Sequence, residues 1–143
     1  MSSTLLLNKL TTLLMHSGKK KLIFKKVIKN LQKFNLSNTK HPKAIKNICL
    51  LTTLFHKLKP FLETRKIRKA SKYYDVPFFL KESRSFSILL RWITKAIRNF
   101  GTINSLNKEI QNLLEETGST FKEAKTLRIK VANNIMFSHF RWK

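Results

Sequence analysis

The sequence is poor in acidic residues, in cysteine and in long apolar runs. Only 7 Asp and Glu accompany 30 Lys and Arg in 143 residues, which leaves a formal net charge of +23. The single cysteine, Cys49, excludes an internal disulfide framework. The best apolar stretch, residues 48–55, is much shorter than the roughly 18 residues that a membrane-spanning helix requires. We therefore expect neither a disulfide-stabilised secreted protein nor a membrane protein.

Residues with the usual catalytic chemistry are also sparse. The four histidines are scattered, and no two of them have metal-ligand spacing on one helix. The segment GKKK at residues 18–21 lacks the upstream glycine and the Ser or Thr of a nucleotide-binding P-loop. Cys49 lies among apolar neighbours, which is typical of an inert buried thiol. The sequence predicts no enzyme, no metal and no cofactor.

Positive charge is abundant on a chain that can still fold. With 42% hydrophobic residues, a chain of this length buries roughly two-thirds of its unfolded surface. A charge of +23 destabilises an isolated compact domain and repels a second copy, so we expect a polyanionic partner and no homo-oligomer. Nucleic acid is favoured over an anionic membrane surface or an acidic protein. Because no repeat or flexible linker divides residues 1–143, we predict a single domain.

Apolar residues recur with helical spacing in six stretches. This pattern predicts a mainly α fold, a six-helix bundle with a β-hairpin that protrudes between the third and fourth helices. Gly18, Gly101 and Gly118 each follow an apolar stretch and are predicted to close helices in the left-handed conformation. Thr120 and Glu123 have the spacing of a capping box at the start of the sixth helix. The six stretches are Leu6, Leu10, Leu13 and Leu14; Phe24, Val27, Ile28, Leu31 and Phe34; Ala44, Ile48, Leu51, Phe55 and Leu58; Phe86, Leu89, Leu90, Ile93, Ala96, Ile97 and Phe100; Ile103, Leu106, Ile110, Leu113 and Leu114; and Ala124, Leu127, Val131 and Ile135.

The helical pattern is interrupted at about residues 60–80. Two segments rich in aromatic and branched residues flank KASK at 69–72, which predicts a hairpin with an apolar base and a basic tip. Pro42 marks a helix start, whereas Pro77 confines its strand to an edge. Because a two-stranded ribbon alone is marginally stable, we expect its base to pack on helices and its tip to stay free for a partner.

Four groups of cations are candidates for polyanion binding. The first lies at the amino end of the second helix, where backbone N–H groups and the helix dipole favour phosphate; the others are the hairpin, the polar face of the fourth helix and the carboxyl-terminal end. Each has a structural alternative: a solvated lysine cluster, an edge that resists aggregation, a wet helix face, or an end that packs on the core. The candidates are Lys19, Lys20, Lys21, Lys25 and Lys26; Arg65, Lys66, Arg68, Lys69 and Lys72; Arg84, Arg91 and Arg98; and Arg141 with Trp142.

The order and spacing of several motifs resemble those of the small-subunit ribosomal protein S7 family. The segment MHSGKKK at 15–21 is similar to the family's loop ending in GKK, and VANNIMFSHFRW at 131–142 resembles its closing motif. The matching residues in the middle of the chain are Pro60, Glu63, Arg68, Tyr74, Val76, Pro77, Arg84, Arg91 and Trp92, and those at the end are Ala132, Asn134, Phe137, His139, Arg141 and Trp142.

The resemblance implies a structural protein of the small ribosomal subunit. Members of this family are primary binders of small-subunit ribosomal RNA that organise the head (3′ major) domain beside neighbouring ribosomal proteins. Their hairpin arm lies near the exit-site tRNA and the messenger RNA path. Carried over to this sequence, the resemblance assigns RNA contacts to Lys19 and Lys20, Arg68, Arg84, Arg91, Arg98, and Arg141 with Trp142.

The chain also departs from the family pattern. Ala70 and Ser71 replace the family's two tip glycines, so we expect either a different turn or a tip that is ordered only by RNA. The family's basic arm before the first helix and its longer tail have no counterpart in this sequence, so the contacts that they make are not carried over. A composition rich in Lys, Asn, Ile, Leu and Phe, with three glycines and no recognisable transit peptide, favours a protein encoded and translated in a mitochondrion over a plastid or a reduced bacterium. The functional alternative is a basic helical DNA-binding or nucleoid protein.

Overall fold

The structure is a computed structural model that describes residues 3–33, 52–101 and 105–142. Helices α1 (Ser3–Leu14) and α2 (Lys20–Lys33) come first, and a third helix, α3, covers 52–58. Strands β1 (Leu62–Lys69) and β2 (Lys72–Phe79) precede α4 (Glu82–Asn99), α5 (Ser105–Leu114), α6 (Gly118–Asn133) and a terminal 3₁₀ helix (Ile135–Trp142). The predicted mainly α fold with a hairpin between the third and fourth helices is confirmed. The predictions for Phe34, Pro42, Ala44, Ile48, Cys49, Leu51 and Ile103 lie outside the described residues.

Helix α4 is the centre of the core and contacts α1, α5 and α6. Its predicted apolar stripe is buried from Phe86 to Ile97, whereas Phe100 at its end is 48% exposed. Trp92 packs half-buried against the core. On α2 the stripe is rotated relative to the prediction, because Ile23 is buried while Phe24 and Ile28 are half-buried.

The ends of the last two helices differ from the prediction. Gly101 has φ +72° and closes α4 as expected, with its N–H donating to the Arg98 carbonyl. Helix α5, however, is closed by Glu116 with φ +57°, followed by a hydrogen bond from the Thr117 N–H to the Asn112 carbonyl. Gly118 has the predicted positive φ, +87°, but it is the first residue of α6, so the prediction that it ends a helix is wrong. A non-glycine residue therefore holds the left-handed position here.

Gly18 also does not end a helix directly. Helix α1 already ends at Leu14, and Gly18 (φ +71°) lies in the following turn beside Ser17 (φ +51°), just before α2. The predicted start of α6 is wrong as well, since Thr117 is the N-cap and makes no side-chain cap hydrogen bond.

Thr120 has a different partner from the one that a capping box requires. Its hydroxyl donates to Oε1 of Glu109 on α5 at 2.5 Å, and its N–H lies 3.4 Å from the same oxygen. Both residues are 1% exposed. Because the first N–H groups of a helix lack intrahelical acceptors, a carboxylate from α5 satisfies the start of α6 and ties the two helices together.

The hairpin has the predicted position and a two-residue turn. Lys69 is paired with Lys72, and only Ala70 of the two turn residues has a positive φ, +52°. One non-glycine residue, rather than two, therefore adopts a positive φ at this tip. That the turn differs from the one in other family members stays a prediction.

The terminal 3₁₀ helix packs along β2. Tyr74 of β2 contacts the rings of Phe137 and Phe140, with centroid distances of 5.2 Å to each. Lys69 Nζ lies 4.1 Å from the centroid of Phe140, close to the hairpin tip. The hairpin base packs on helices as expected, but one side of the tip is covered by this segment and is not free.

Candidate nucleic-acid interface

The junction between α1 and α2 carries the densest group of unpaired cations in the described part of the chain. Lys19, Lys20 and Lys21 are exposed at the amino end of α2, and Lys25 and Lys26 are exposed one turn later. None of the five forms an ion pair with another described residue. The structure therefore places the first group of candidates close together at the amino end of α2, and we call these five lysines the α2 lysine cluster.

The acidic residues lie elsewhere and already have partners. Five of the seven carboxylates form ion pairs, at N–O distances between 2.6 and 3.1 Å. Glu109 is buried against Thr120, and Glu115 accepts a hydrogen bond from Gln111. The five pairs are Glu63 with Arg65 and Arg84, Asp75 with Lys130, Glu82 with Lys59, Glu116 with Lys57, and Glu123 with Lys95. The α2 lysine cluster is consequently not neutralised by these acids.

The candidates on α4 have different surroundings. Arg84 Nε lies 3.0 Å from Glu63 Oε2, and Arg98 Nη2 donates to the Leu13 carbonyl at 2.8 Å. Arg91 is exposed and pairs with no acid in the described ranges. The polar face of α4 is thus partly a set of contacts that hold the hairpin and α1, and Arg91 is its unpaired cation.

The five cations of the hairpin form two groups: two contact other side chains of the protein, and three do not form ion pairs within the described ranges. Arg65 pairs with Glu63 and stacks on Phe78, and Lys69 lies over Phe140. The other three, Lys66, Arg68 and Lys72, have exposed side chains, and Arg68 Nε reaches only the Ala70 carbonyl at 3.3 Å. These three can meet a partner without breaking an ion pair.

Glu63 is the acid that joins the hairpin to α4. It is 8% exposed and accepts hydrogen bonds from Arg65 Nε at 2.6 Å and from Arg84 Nε at 3.0 Å. Burial raises the pKa of Glu63, but the hydrogen bonds and charges of Arg84 and Arg65 outweigh it, so the pKa lies below the ordinary value of 4.5. Sequence reasoning identified all three residues but not their contact, because Arg84 comes from α4 whereas Glu63 and Arg65 come from β1.

The lowered pKa predicts a loss of stability in acid. A carboxylate that binds protons less readily in the folded state contributes stability above the ordinary pKa of 4.5, and this contribution is lost as the pH falls through the lower folded-state pKa. We expect Glu63→Gln to show a smaller drop in melting temperature than the unsubstituted protein between about pH 6 and about pH 3. Glu115→Gln, at an exposed acid just after α5 and outside the ion pairs above, controls for the loss of one carboxyl group. Parallel profiles for Glu63→Gln and the unsubstituted protein would contradict this role.

The two carboxyl-terminal candidates, Arg141 and Trp142, have different surroundings. Arg141 donates from Nε and Nη2 to the Pro77 carbonyl at 3.1 and 2.8 Å, and its guanidinium carbon lies 4.8 Å from the Phe79 centroid. Trp142, by contrast, is 83% exposed. The alternative in which this end packs back on the protein therefore describes Arg141, and Trp142 presents its indole to solvent.

Replacing Arg141 tests the contact with the hairpin. Arg141→Ala removes two charge-assisted hydrogen bonds to Pro77, and we expect the free energy of unfolding to fall by roughly 1–3 kcal/mol. Arg141→Lys keeps the charge but not the planar fork of donors, so it is expected to be destabilised as well. Urea denaturation of both variants measures the effect. An Arg141→Lys protein as stable as the unsubstituted one would show that charge alone is needed.

Neither a metal site nor a membrane helix is found in the described ranges. No group of three His, Cys, Asp or Glu side chains there could hold a metal ion. None of the helices within those ranges combines the length and apolar character that a bilayer crossing requires.

Comparison with known proteins agrees with these observations. The model of the family described as Ribosomal protein S7p/S5e matches residues 1–134. The small ribosomal subunit protein uS7 of Kosmotoga olearia is 32% identical over 146 aligned positions, which span 96% of this chain and 87% of the relative. The corresponding proteins of Petrotoga mobilis (31% identical, 96% and 88%) and Aquifex aeolicus (uS7A; 30% identical, 96% and 87%) are similar over the same extent. Since the family model spans nearly the whole chain, the chain belongs to the ribosomal protein S7p/S5e family.

Proposed function

We propose that this protein organises the head domain of the small ribosomal subunit as a primary RNA-binding protein. Family membership supports the general part of this function: the chain is a structural, non-enzymatic component of the small ribosomal subunit that binds its RNA and lies among other ribosomal proteins. The specific part of the proposal is the position in the head and the choice of residues that contact RNA. The arrangement of charge on the protein supports this part.

The α2 lysine cluster is the observation that carries the proposal. Five exposed lysines lie at the amino end of α2, while the described acids are paired, hydrogen-bonded or buried elsewhere. Each lysine that meets a phosphate releases counterions, so log affinity falls with log salt by about 0.7–0.9 per contact. Arg91, Lys66, Arg68 and Lys72 offer further unpaired cations on α4 and the hairpin. Because a packed core joins these elements, several RNA segments can be bound at once.

The hairpin is proposed to lie beside the exit-site tRNA and the messenger RNA. Its outer half presents Lys66, Arg68 and Lys72, and Tyr73, which is paired with Arg68 across the hairpin, is 68% exposed. Cations beside an exposed ring suit single-stranded RNA, in which phosphates and unstacked bases are both accessible. Cross-linking from a photoreactive group at position 73 in intact subunits tests this position. Cross-links to head-domain RNA far from the exit site would contradict it.

Competition binding tests RNA recognition against the DNA-binding alternative. Filter binding compares a fragment of head-domain ribosomal RNA with duplex DNA of equal length at the same salt concentration. We expect clear preference for the RNA, since its junctions and unpaired bases supply shape that uniform duplex DNA lacks. Equal affinity for the two would favour a nucleoid protein.

The chain is proposed to act as a single domain, residues 1–143, that is not a homo-oligomer, in a mitochondrial ribosome. Its ribosomal location follows from the family, and the composition rich in Lys, Asn, Ile, Leu and Phe supports an organelle gene. Subcellular fractionation with an antibody is expected to find the protein with mitochondrial small subunits, retained in high salt. Recovery only with subunits from another compartment would contradict the placement. Sedimentation of the isolated protein as a dimer would contradict the monomeric state.

A further inference from the structure

A cavity of about 450 Å³ opens between the α1–α2 junction and the carboxyl end of α4. Its floor is apolar and consists of Leu14, Ile23 and Ile97, which are 5%, 6% and 2% exposed. Protein pockets of roughly 300–1,000 Å³ with apolar walls and a few polar groups bind small organic ligands. The cavity has the size and lining that suit a single flat ring system.

The rim of this cavity is cationic. Lys19, Lys26 and Arg98 line it with exposed side chains, and none of the described lining residues is acidic. Arg98 is held in place because Nη2 donates to the Leu13 carbonyl at 2.8 Å. A guanidinium group fixed at a rim can stack on a base, and lysines beside it can pair with phosphates. The rim therefore has the charge that complements the phosphates of an RNA strand.

Leu22 is the feature that phosphate binding does not explain. It lines the cavity and is 48% exposed on α2, although the neighbouring exposed positions of that helix are lysines. An exposed leucine contributes nothing to phosphate binding. It does provide apolar surface for the face of a base that has left its stack.

We propose that the cavity binds one unpaired nucleobase of the ribosomal RNA, with Lys19 and Lys26 holding the adjacent phosphates. This inference rests on the proposed function and deepens it, because phosphate contacts position a protein without reading sequence. Specific RNA recognition uses unpaired bases that are splayed out and stacked on protein side chains. The cavity thus distinguishes one junction from the many other phosphate-rich surfaces of the RNA.

A double-mutant cycle between protein and RNA tests the proposal. The probe is the head-domain RNA fragment, in which each unpaired nucleotide is replaced in turn by an abasic one that keeps its sugar and phosphate. At one position we expect the unsubstituted protein to lose about five- to 150-fold in affinity, the range for a stacked base. Leu22→Ala is expected to bind the intact fragment at least about fivefold more weakly and to lose nothing further at that position.

Two controls separate this effect from charge and from folding. Ile129→Ala removes an aliphatic side chain that is 50% exposed on α6 and does not line the cavity, and it is expected to bind RNA as the unsubstituted protein does. Leu22→Ala should leave the slope of log affinity against log salt unchanged, whereas Lys26→Ala should lower that slope by about 0.7–0.9. Leu22→Phe, which keeps an apolar wall, is expected to retain the response to the abasic position.

Two results would overturn the inference while leaving the proposed function intact. One is unchanged affinity of Leu22→Ala for the intact fragment. The other is an equal loss for Leu22→Ala and the unsubstituted protein at every abasic position, which would place the read base elsewhere. If the unsubstituted protein instead bound the RNA fragment no better than duplex DNA, the proposed function itself would fail.

Discussion

Leu89→Ala is expected to lower the free energy of unfolding by about 2–5 kcal/mol, since it deletes buried methyl groups and leaves a cavity in the core. Leu89 lies on α4 with 0% of its surface exposed, and α4 contacts α1, α5 and α6. Proteins of this size are stable by about 5–15 kcal/mol, so one such change removes a large share of the total. Chemical denaturation monitored by circular dichroism measures the loss.

Leu5→Ala is the matched control for this prediction. It removes the same atoms from α1, where Leu5 is 53% exposed, and is expected to destabilise the protein by less than about 1 kcal/mol. Similar losses for the two variants would mean that α4 is not the centre of the core.

Lys20→Ala combined with Lys21→Ala is expected to weaken binding to head-domain RNA about 25- to 60-fold at about 0.1 M salt. The reason is that two lost phosphate contacts lower the slope of log affinity against log salt by about 1.4–1.8. If the electrostatic contribution to binding vanishes near 1 M salt, the two proteins bind equally there. Over the tenfold decrease to about 0.1 M, the change in slope then equals the difference in log affinity between them. Binding measured across that range therefore yields both the slope and the affinity at low salt.

Lys122→Ala combined with Lys125→Ala is the control for net charge. This variant also removes two positive charges, so the change in net charge is the same. Both lysines are exposed on α6, outside the α2 lysine cluster. We expect a change of less than about threefold, because the interaction of distant charges is screened over about 10 Å at 0.1 M salt. Equal losses in the two double variants would mean that RNA binding depends on total charge and not on the α2 lysine cluster.

The features that depend on local sequence could be predicted well. The strand boundaries followed from the change in apolar spacing and from KASK between the strands, and the hairpin lies at Leu62–Lys69 and Lys72–Phe79. The α4 stripe was also predicted, because a helix with one buried face repeats its apolar residues every turn. The α2 lysine cluster was recognisable from a run of lysines just before an apolar stretch.

The features that depend on distant partners could not be predicted in this way. The spacing of Thr120 and Glu123 is that of a capping box, yet Thr120 pairs with Glu109 because the packing of α5 on α6 brings a carboxylate closer. Arg65 and Arg84 share Glu63 for the same reason, since the hairpin and α4 meet only in the fold. The cavity beside Leu22 is formed by three separate segments, and no local pattern in the sequence indicates such a site.

The attachment of the hairpin by the terminal 3₁₀ helix has a consequence for biosynthesis. Arg141 binds the Pro77 carbonyl across 64 positions of the chain. A nascent polypeptide emerges amino end first, so both strands of the hairpin leave the exit tunnel well before the residues that orient them. The hairpin therefore gains its contact with Arg141 only after the terminal 3₁₀ helix has also left the tunnel, and until then its base is held by the contact between Glu63 and Arg84.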